Sequence, residues 1–397
     1  MTRFAARLGG FYGALFLVYG VHVPYLPVWL DWRGLSAGEI ALVTAAPFFV
    51  RLAVTPLVAY GADRYQAHRR TVIGLAVLAL AMALVLSQSH GFWPIMAAVL
   101  AMTLATTTIM PLTETIAVAG VRVGGLDYGR MRLWGSLTFI VASFGGGMLV
   151  DALGASVGVW LIIAGTAATM LAALALPELP KVPEESPASE RSEPAQSRLA
   201  VVRRLAGRAD FLVFLAAVGA VQGAHALFYA FGVLHWRSLG ISGTWVGLLW
   251  TIGVLAEVGV FAYSRAILAR VGAIELMIAG GAAATLRWAA MSLDPPLAAL
   301  VGLQLLHALS YGAAHLGAIH FIAKAVPQQA AGTGQALYAT VAAGVAMGAA
   351  TLAAGPLYAH YAGHAYLAMA AQALAGTVAG VMLWRLARPA ATPPLQA

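Results

Sequence analysis

The chain has 397 residues, no cysteine, a net charge of +8, and 10% charged against 61% hydrophobic residues. A soluble domain carries roughly 25% charged residues to cover its surface, so composition excludes a soluble enzyme, a secreted disulfide scaffold and a disordered chain. The absent thiols also exclude cysteine nucleophiles and thiolate metal sites.

The hydrophobic fraction amounts to about 242 residues, close to the roughly 240 that twelve membrane-spanning helices of ~20 residues would use. Apolar runs predict spans at 8–30, 38–61, 71–88, 92–120, 129–150 and 154–177, and again at 209–236, 243–267, 272–292, 295–324, 330–359 and 363–387. Arg3 and Arg7 precede the first run as in a signal peptide. The run is too long for one, is broken by Pro24 and Pro27, and shows no small-x-small cleavage site, so a retained first span is expected. Between the two sets lies 178–208, with Pro180, Pro183, Pro187 and Pro194, then Glu184, Glu185, Glu190 and Glu193, then Arg198, Arg203, Arg204 and Arg208. Its first part reads as a flexible linker. Its end mixes Leu199, Val201, Val202 and Leu205 with arginines, and reads equally as a basic helix on an anionic leaflet or as a solvated linker end. The expected organisation is a six-helix bundle over 1–177, a cytoplasmic linker over 178–208, and a second six-helix bundle over 209–397 with a short cytoplasmic tail.

Charge placement sets the orientation. With twelve spans, the termini and even-numbered loops carry 19 of the 23 lysines and arginines, whereas the opposite loops carry only Arg33 and Arg237. Such asymmetry puts the basic side in the cytoplasm, together with both termini, and moving the count by one span would destroy it. The two sets of six also correspond. Asp31-Trp32-Arg33 follows the first span as His235-Trp236-Arg237 follows the seventh, and an offset of 206 residues places Ile40 on Val246, Arg64 on Arg270 and Arg51 on Glu257. Two related halves are the organisation of a secondary transporter.

After the second span the chain reads Ala59-Tyr60-Gly61-Ala62-Asp63-Arg64-Tyr65-Gln66-Ala67-His68-Arg69-Arg70. This resembles the G-x-x-x-D-R-x-G-R-R loop of the major facilitator superfamily, with Asp63, Arg64, Arg69 and Arg70 as its charged gate residues, Ala59 for the leading glycine and Gln66 for the middle one. Within the superfamily the chain looks like the phenylpropionate-transporter branch, near the lactose and nucleoside proton symporters. The segments that carry this are Phe11-Tyr12-Gly13 through Pro24-Tyr25-Leu26-Pro27, Ala46-Pro47-Phe48-Phe49-Val50-Arg51, Asp127-Tyr128-Gly129-Arg130-Met131-Arg132-Leu133-Trp134-Gly135, Gly253 to Val258, and Gln335-Ala336-Leu337-Tyr338. The resemblance implies an all-α fold of twelve transmembrane helices in two pseudo-symmetric bundles, alternating access, and a substrate site between the halves lined by the first and seventh spans.

Glu114 and Glu257 alone among the 15 acidic residues fall deep inside predicted spans. An ionisable group in hydrocarbon normally faces a cavity or a partner, and a desolvated carboxyl group can hold a proton near neutral pH. Both are therefore candidate proton carriers, with a permanent ion pair that fixes packing as the bland alternative. Arg51 and Arg132 are candidate clamps for an anionic substrate; Arg51 equally suits a pairing with a glutamate, and Arg132 equally suits anchoring at the cytoplasmic boundary. Arg287, in the ninth span, is expected to snorkel outward.

His22 and His225 fall at nearly equivalent repeat positions, and His307, Tyr311 and His315 share one face of the tenth span. His315 is the further proton-site candidate, with a neutral, hydrogen-bonded histidine as the alternative. No carboxylate accompanies the cluster in the tenth span, so no metal site is expected. Tyr12, Tyr19, Tyr229, Trp250, Gln335 and Tyr338 join His22 and His225 as candidate cavity residues that would stack on or orient a solute; helix packing is the commoner use of such side chains. No phosphate-binding Gly-Lys-Ser/Thr loop, H-E-x-x-H or G-x-S-x-G occurs.

The expectation is a non-enzymatic, monomeric, multi-pass protein of a bacterial inner membrane. It would work without a cofactor, on the proton gradient, as a proton symporter of a small organic solute, a carboxylate by preference. A sugar or nucleoside symporter, an efflux antiporter, or a non-transporting receptor are the alternatives. Its partners are the bilayer, protons and a small molecule, not nucleic acid.

Overall fold

In the computed structural model the described residues are 3–178 and 198–387, and among them there is no β-strand. The body of the predicted linker and the tail beyond 387 lie outside the described residues. The first six helices are α1 (Arg3–Trp32), α2 (Ala37–Arg64), α3 (His68–Gln88), α4 (Phe92–Gly124), α5 (Tyr128–Leu153) and α6 (Val157–Leu174). Then come α7 (Arg198–Ala206), α8 (Ala209–Gly223), α9 (Ala226–Ser238), α10 (Gly243–Ala262), α11 (Ser264–Leu268), α12 (Ala273–Met291) and α13 (Leu297–Leu305). A π-helical turn, Ala308–Ala313, leads into α14 (Ala314–Ala325), and a second, Ala339–Ala346, joins α15 (Ala331–Tyr338) to α16 (Met347–Tyr361); α17 is Tyr366–Ala387.

Local chemistry explains where the helices begin and end. Ser36 and Glu39 close a reciprocal capping box at the start of α2. The Asp127 carboxylate accepts from the Arg130 amide at the start of α5. Gly125, at φ +60°, ends α4 in the left-handed conformation that glycine adopts without a Cβ clash. Ten helical stretches are long and apolar enough to cross a membrane. The last, Ala331–Ala387, is broken at Ala362–Ala365 into two, and α12, at 19 residues, is lowered in hydropathy by Glu275 and Arg287. With these two adjustments the described helices supply twelve crossings. The predicted seventh span differs in form: it breaks between Gly223 and Ala226, where the backbone amides of Ala224 and His225 turn back onto Ala220 and Gln222.

The chain forms two compact units. Among the described residues, one holds 3–178, Ala226–Val254 and Gly348–Ala365; the other holds 198–225, 255–347 and 366–387. The boundaries thus cut across the two sequence repeats.

The first unit is built around α1, which packs on α5 and α6. Leu8, Phe11, Leu15, Val72, Ile109 and Ile116 form a fully buried core. Small residues let backbones meet. Nothing larger than glycine fits at Gly20, against the Phe139 carbonyl and Ala142, or at Gly147, against the backbone of Gly243. Gly348 likewise abuts Phe48 and Phe49.

The second unit centres on α12, which packs on α17 and α14. Its core includes Phe211, Phe214, Met277, Phe321, Ile322 and Leu383. The basic helix expected near the linker's end is α7, whose Leu205 is buried in this core while Arg203 and Arg204 stay exposed.

Candidate functional site

Among the described residues, each unit contains a cluster of ionisable side chains away from its surface loops. In the first unit, Arg132 from α5 and Glu114 from α4 approach to 3.9 Å between Nε and Oε1, with side chains 28% and 27% exposed. That separation is an ion pair without a made hydrogen bond. The guanidinium also meets π-faces: its carbon lies 4.0 Å from the Phe16 ring centre and 5.7 Å from that of Tyr12. Phe16 meets Tyr19 edge-to-face, and the Tyr19 hydroxyl donates to the Thr106 carbonyl at 2.9 Å. One turn on, His22 Nε2 lies 3.3 Å from the Thr103 hydroxyl. α1 therefore lays Tyr12, Phe16, Tyr19 and His22 along α4 and α5. Arg51, on α2, stacks over Phe48 at 4.9 Å. The family-like segment around Trp134 was the signal for Arg132; Phe16, which backs it, carried no signal beyond its spacing.

Also in the first unit, Tyr229 and Trp250 belong to an aromatic group. Phe228 stacks on Trp250 at 5.0 Å and Tyr229 lies 6.0 Å from the same ring. Trp250 is buried and Tyr229 half-buried.

The second unit brings together residues far apart in the chain. His307, Tyr311 and His315 stack as a ladder, with ring centres 5.4 and 6.1 Å apart and planes within 12°. This is the shared face expected from their spacing, although the intervening turn is π-helical. His315 Nδ1 bonds the Tyr338 hydroxyl at 2.8 Å. Glu257, from α10, lies 3.4 Å from His307 Nε2, so a carboxylate does accompany these histidines, supplied from another helix. Among the described residues no group of three His, Asp or Glu is placed to hold a metal ion. His225 and Tyr338 are buried here rather than open to solvent, as Tyr12 is in the first unit, while Gln335 is exposed.

Arg287 corrects the expectation of snorkelling. It is 0% exposed, and its guanidinium bonds Gln304 Oε1 at 2.7 Å and His307 Nδ1 at 3.1 Å while lying 4.4 Å from the Trp288 ring centre. A buried cation needs this many acceptors. They come from α13 and the following turn, and nothing in the local sequence of α12 announces them.

The loop between α2 and α3 keeps its turn without the middle glycine. Gln66 takes φ +47°, and its side chain donates to the Asp63 carbonyl at 2.8 Å. The charged pattern is distributed differently from a single latch. Asp63 pairs with His68 at 2.8 Å, Arg64 reaches the Tyr60 hydroxyl, and Arg69 binds Glu178 Oε1 and the Leu174 carbonyl; Arg70 is exposed.

Residues 5–368 match the family model described as the MFS_1 like family. The chain is 32% identical over 361 residues to the probable 3-phenylpropionic acid transporter of Escherichia coli (strain K12), covering 89% of this chain and 90% of that one. It is 27% identical over 355 residues to the maltose permease of Geobacillus stearothermophilus, covering 87% and 86%. Among solved structures, the nucleoside transporter NupG superposes with a TM-score of 0.78 at 17% identity, over 97% of this chain and 100% of that one. A bacterial homologue of the human lysosomal transporter Spinster superposes with a TM-score of 0.74 at 14% identity, over 98% of each chain. With ten helical stretches apolar enough to cross a membrane, an all-helical fold among the described residues and a family match over most of its length, the chain is a multi-pass membrane transporter, not an enzyme, and belongs to the MFS_1 like family of the major facilitator superfamily.

Proposed function

We propose that the protein is a proton-coupled symporter of a small aromatic carboxylate, with Arg132 as the anion clamp and Glu257 as the proton carrier. The observation that supports this is the state of Arg132: a cation backed by Phe16 and Tyr12 whose carboxylate partner among the described residues, Glu114, stands at 3.9 Å. A substrate carboxylate forms bidentate, charge-assisted bonds to such a guanidinium, which a carboxylate at that distance does not. An aromatic ring on the substrate then finds aromatic neighbours already in place. The name of the E. coli relative points to the same class of solute.

Transport follows alternating access. Glu257 takes a proton, the solute binds at Arg132 and displaces Glu114 from it, and the conformational change releases both on the other side. The basic loops support a reading with both termini in the cytoplasm of a bacterial inner membrane, and in this reading the working unit is a monomer.

Uptake of labelled 3-phenylpropionate into proteoliposomes with an alkaline interior tests this. Accumulation above equilibrium, abolished by a protonophore, is the expected result. Accumulation of maltose or a nucleoside in its place would overturn the carboxylate reading, and accumulation indifferent to the pH gradient would overturn the proton coupling.

A further inference from the structure

The second unit holds more polar chemistry than a single proton carrier requires. From the Arg287 guanidinium, two chains of polar contacts run through buried histidines. In the first, Arg287 Nη1 lies 3.1 Å from His307 Nδ1, and His307 Nε2 lies 3.4 Å from Glu257 Oε2. In the second, Arg287 Nη1 lies 3.4 Å from Ser310 Oγ, Ser310 Oγ lies 3.3 Å from His225 Nε2, and His225 Nδ1 lies 3.1 Å from the Val221 carbonyl.

Donor and acceptor rules give these contacts a direction. Arginine only donates, and a carbonyl only accepts. His307 Nδ1 must therefore accept from Arg287, which leaves the ring proton on Nε2, pointed at Glu257. His225 Nδ1 must donate to Val221, which leaves Nε2 as an acceptor for the Ser310 hydroxyl, whose oxygen in turn accepts from Arg287. Every contact along both branches is satisfied by one proton arrangement, and in it both rings are neutral.

We infer that Arg287 fixes His307 as the neutral Nε2–H tautomer, so that His307 is a positioning residue that donates to Glu257 and is not itself a proton carrier. This rests on the reading of Glu257 as the proton site, but the tautomer assignment stands on geometry alone. Protonating His307 would set an N–H against the Arg287 N–H groups and two cations 3.1 Å apart. The groups facing the ring from each packed element are Arg287 on α12, Glu257 on α10, His225 beside α8, and Tyr311 in the π turn. Only Glu257 among them favours a positive ring, and it is already served by the neutral ring's Nε2–H. The same logic makes the buried arginine functional. Its charge acts on Glu257 through the oriented imidazole, so the carboxylate keeps a fixed donor while it gains and loses its proton. His315 carries no such constraint, because the Tyr338 hydroxyl facing its Nδ1 both donates and accepts.

Nitrogen-15 histidine NMR of the full chain in lipid nanodiscs tests the assignment, with His307→Gln and His225→Gln identifying the two signals. The expected wild-type spectrum shows neutral rings from mildly acidic to mildly alkaline pH, with Nε2–H on His307 and Nδ1–H on His225. An imidazolium signal or an Nδ1–H tautomer at His307 would overturn the inference.

Transport gives the second readout. His307→Ala is expected to lose uphill accumulation of 3-phenylpropionate tenfold or more while exchange persists, and His307→Gln, whose amide presents a donor near the position of Nε2, is expected to restore most of it. Equal loss in both variants would also overturn the positioning role. If 3-phenylpropionate is not transported at all, the functional reading fails while the spectrum still decides the tautomer.

Discussion

At the scale of single residues, Arg132 is the side chain whose chemistry bears most directly on the substrate. Its guanidinium carbon lies 4.0 Å from the Phe16 ring centre, and it offers two parallel donors where lysine offers a point charge. Arg132→Lys is therefore expected to raise the half-saturation concentration for 3-phenylpropionate roughly tenfold to a hundredfold, the range that corresponds to the ~1.5–3 kcal/mol of hydrogen bonds to charged groups. Initial uptake rates over a concentration series measure it, and an unchanged half-saturation value would remove Arg132 from the binding site. Glu114 and Arg132 were legible in the sequence because an acidic residue deep in an apolar run and a basic one in a family-like segment both stand out. Arg287 stood out equally but was misread. Whether a membrane arginine snorkels or is buried depends on acceptors that arrive from other helices, here Gln304 and His307, and no periodicity within α12 encodes them.

At the scale of elements, helix positions followed from apolar run lengths, and the starts of α2 and α5 carry side-chain caps, Ser36 with Glu39 and Asp127. The departures have local causes. The seventh predicted span breaks at His225, and the tenth and eleventh contain π turns, Ala308–Ala313 and Ala339–Ala346. A π turn adds a residue without changing hydrophobic character, so hydropathy does not register it. One element end is tied by a carboxylate from elsewhere in the chain. Asp151, at the end of α5, accepts from the Gly243 amide at 2.6 Å, the Thr244 amide at 2.8 Å and the Thr244 hydroxyl at 2.9 Å, and pairs with Arg237. A negative charge on the unsatisfied amides of a helix start is favourable, and here it lies beside the glycine contact of Gly147 with Gly243. Asp151→Ala removes all of these bonds and is expected to destabilise the protein by about 2 kcal/mol, seen as a lower thermal unfolding midpoint in detergent. Asp151→Asn, which keeps one acceptor oxygen, should fall between the two. An unchanged midpoint for Asp151→Ala would mean that the carboxylate does not hold the start of α10.

At the scale of the whole molecule, the count of twelve crossings emerged from composition, and the positions of the basic residues gave it a direction. The two sequence repeats were visible as a 206-residue offset, but the compact units were not, because they group Ala226–Val254 and Gly348–Ala365 with the first six helices through contacts that no repeat pattern predicts. The orientation itself is open to a clean test because the chain has no cysteine, so a single introduced thiol carries no background. Tyr65, 76% exposed in the loop after α2, belongs to the basic side, and Leu293, 77% exposed in the loop after α12, belongs to the opposite side. If basic loops stay in the cytoplasm, a membrane-impermeant maleimide added to spheroplasts labels Leu293→Cys at once and labels Tyr65→Cys only after permeabilisation. The reverse pattern would invert the protein, and with it the side from which Glu257 takes its proton. Equal labelling of both before permeabilisation would put the two loops on the same face, which an odd number of crossings between them forbids. Five described helical crossings, α3, α4, α5, α6 and the α8–α9 pair, together with α10 and α12, separate Tyr65 from Leu293, and that odd total is what makes the two thiols report on opposite faces.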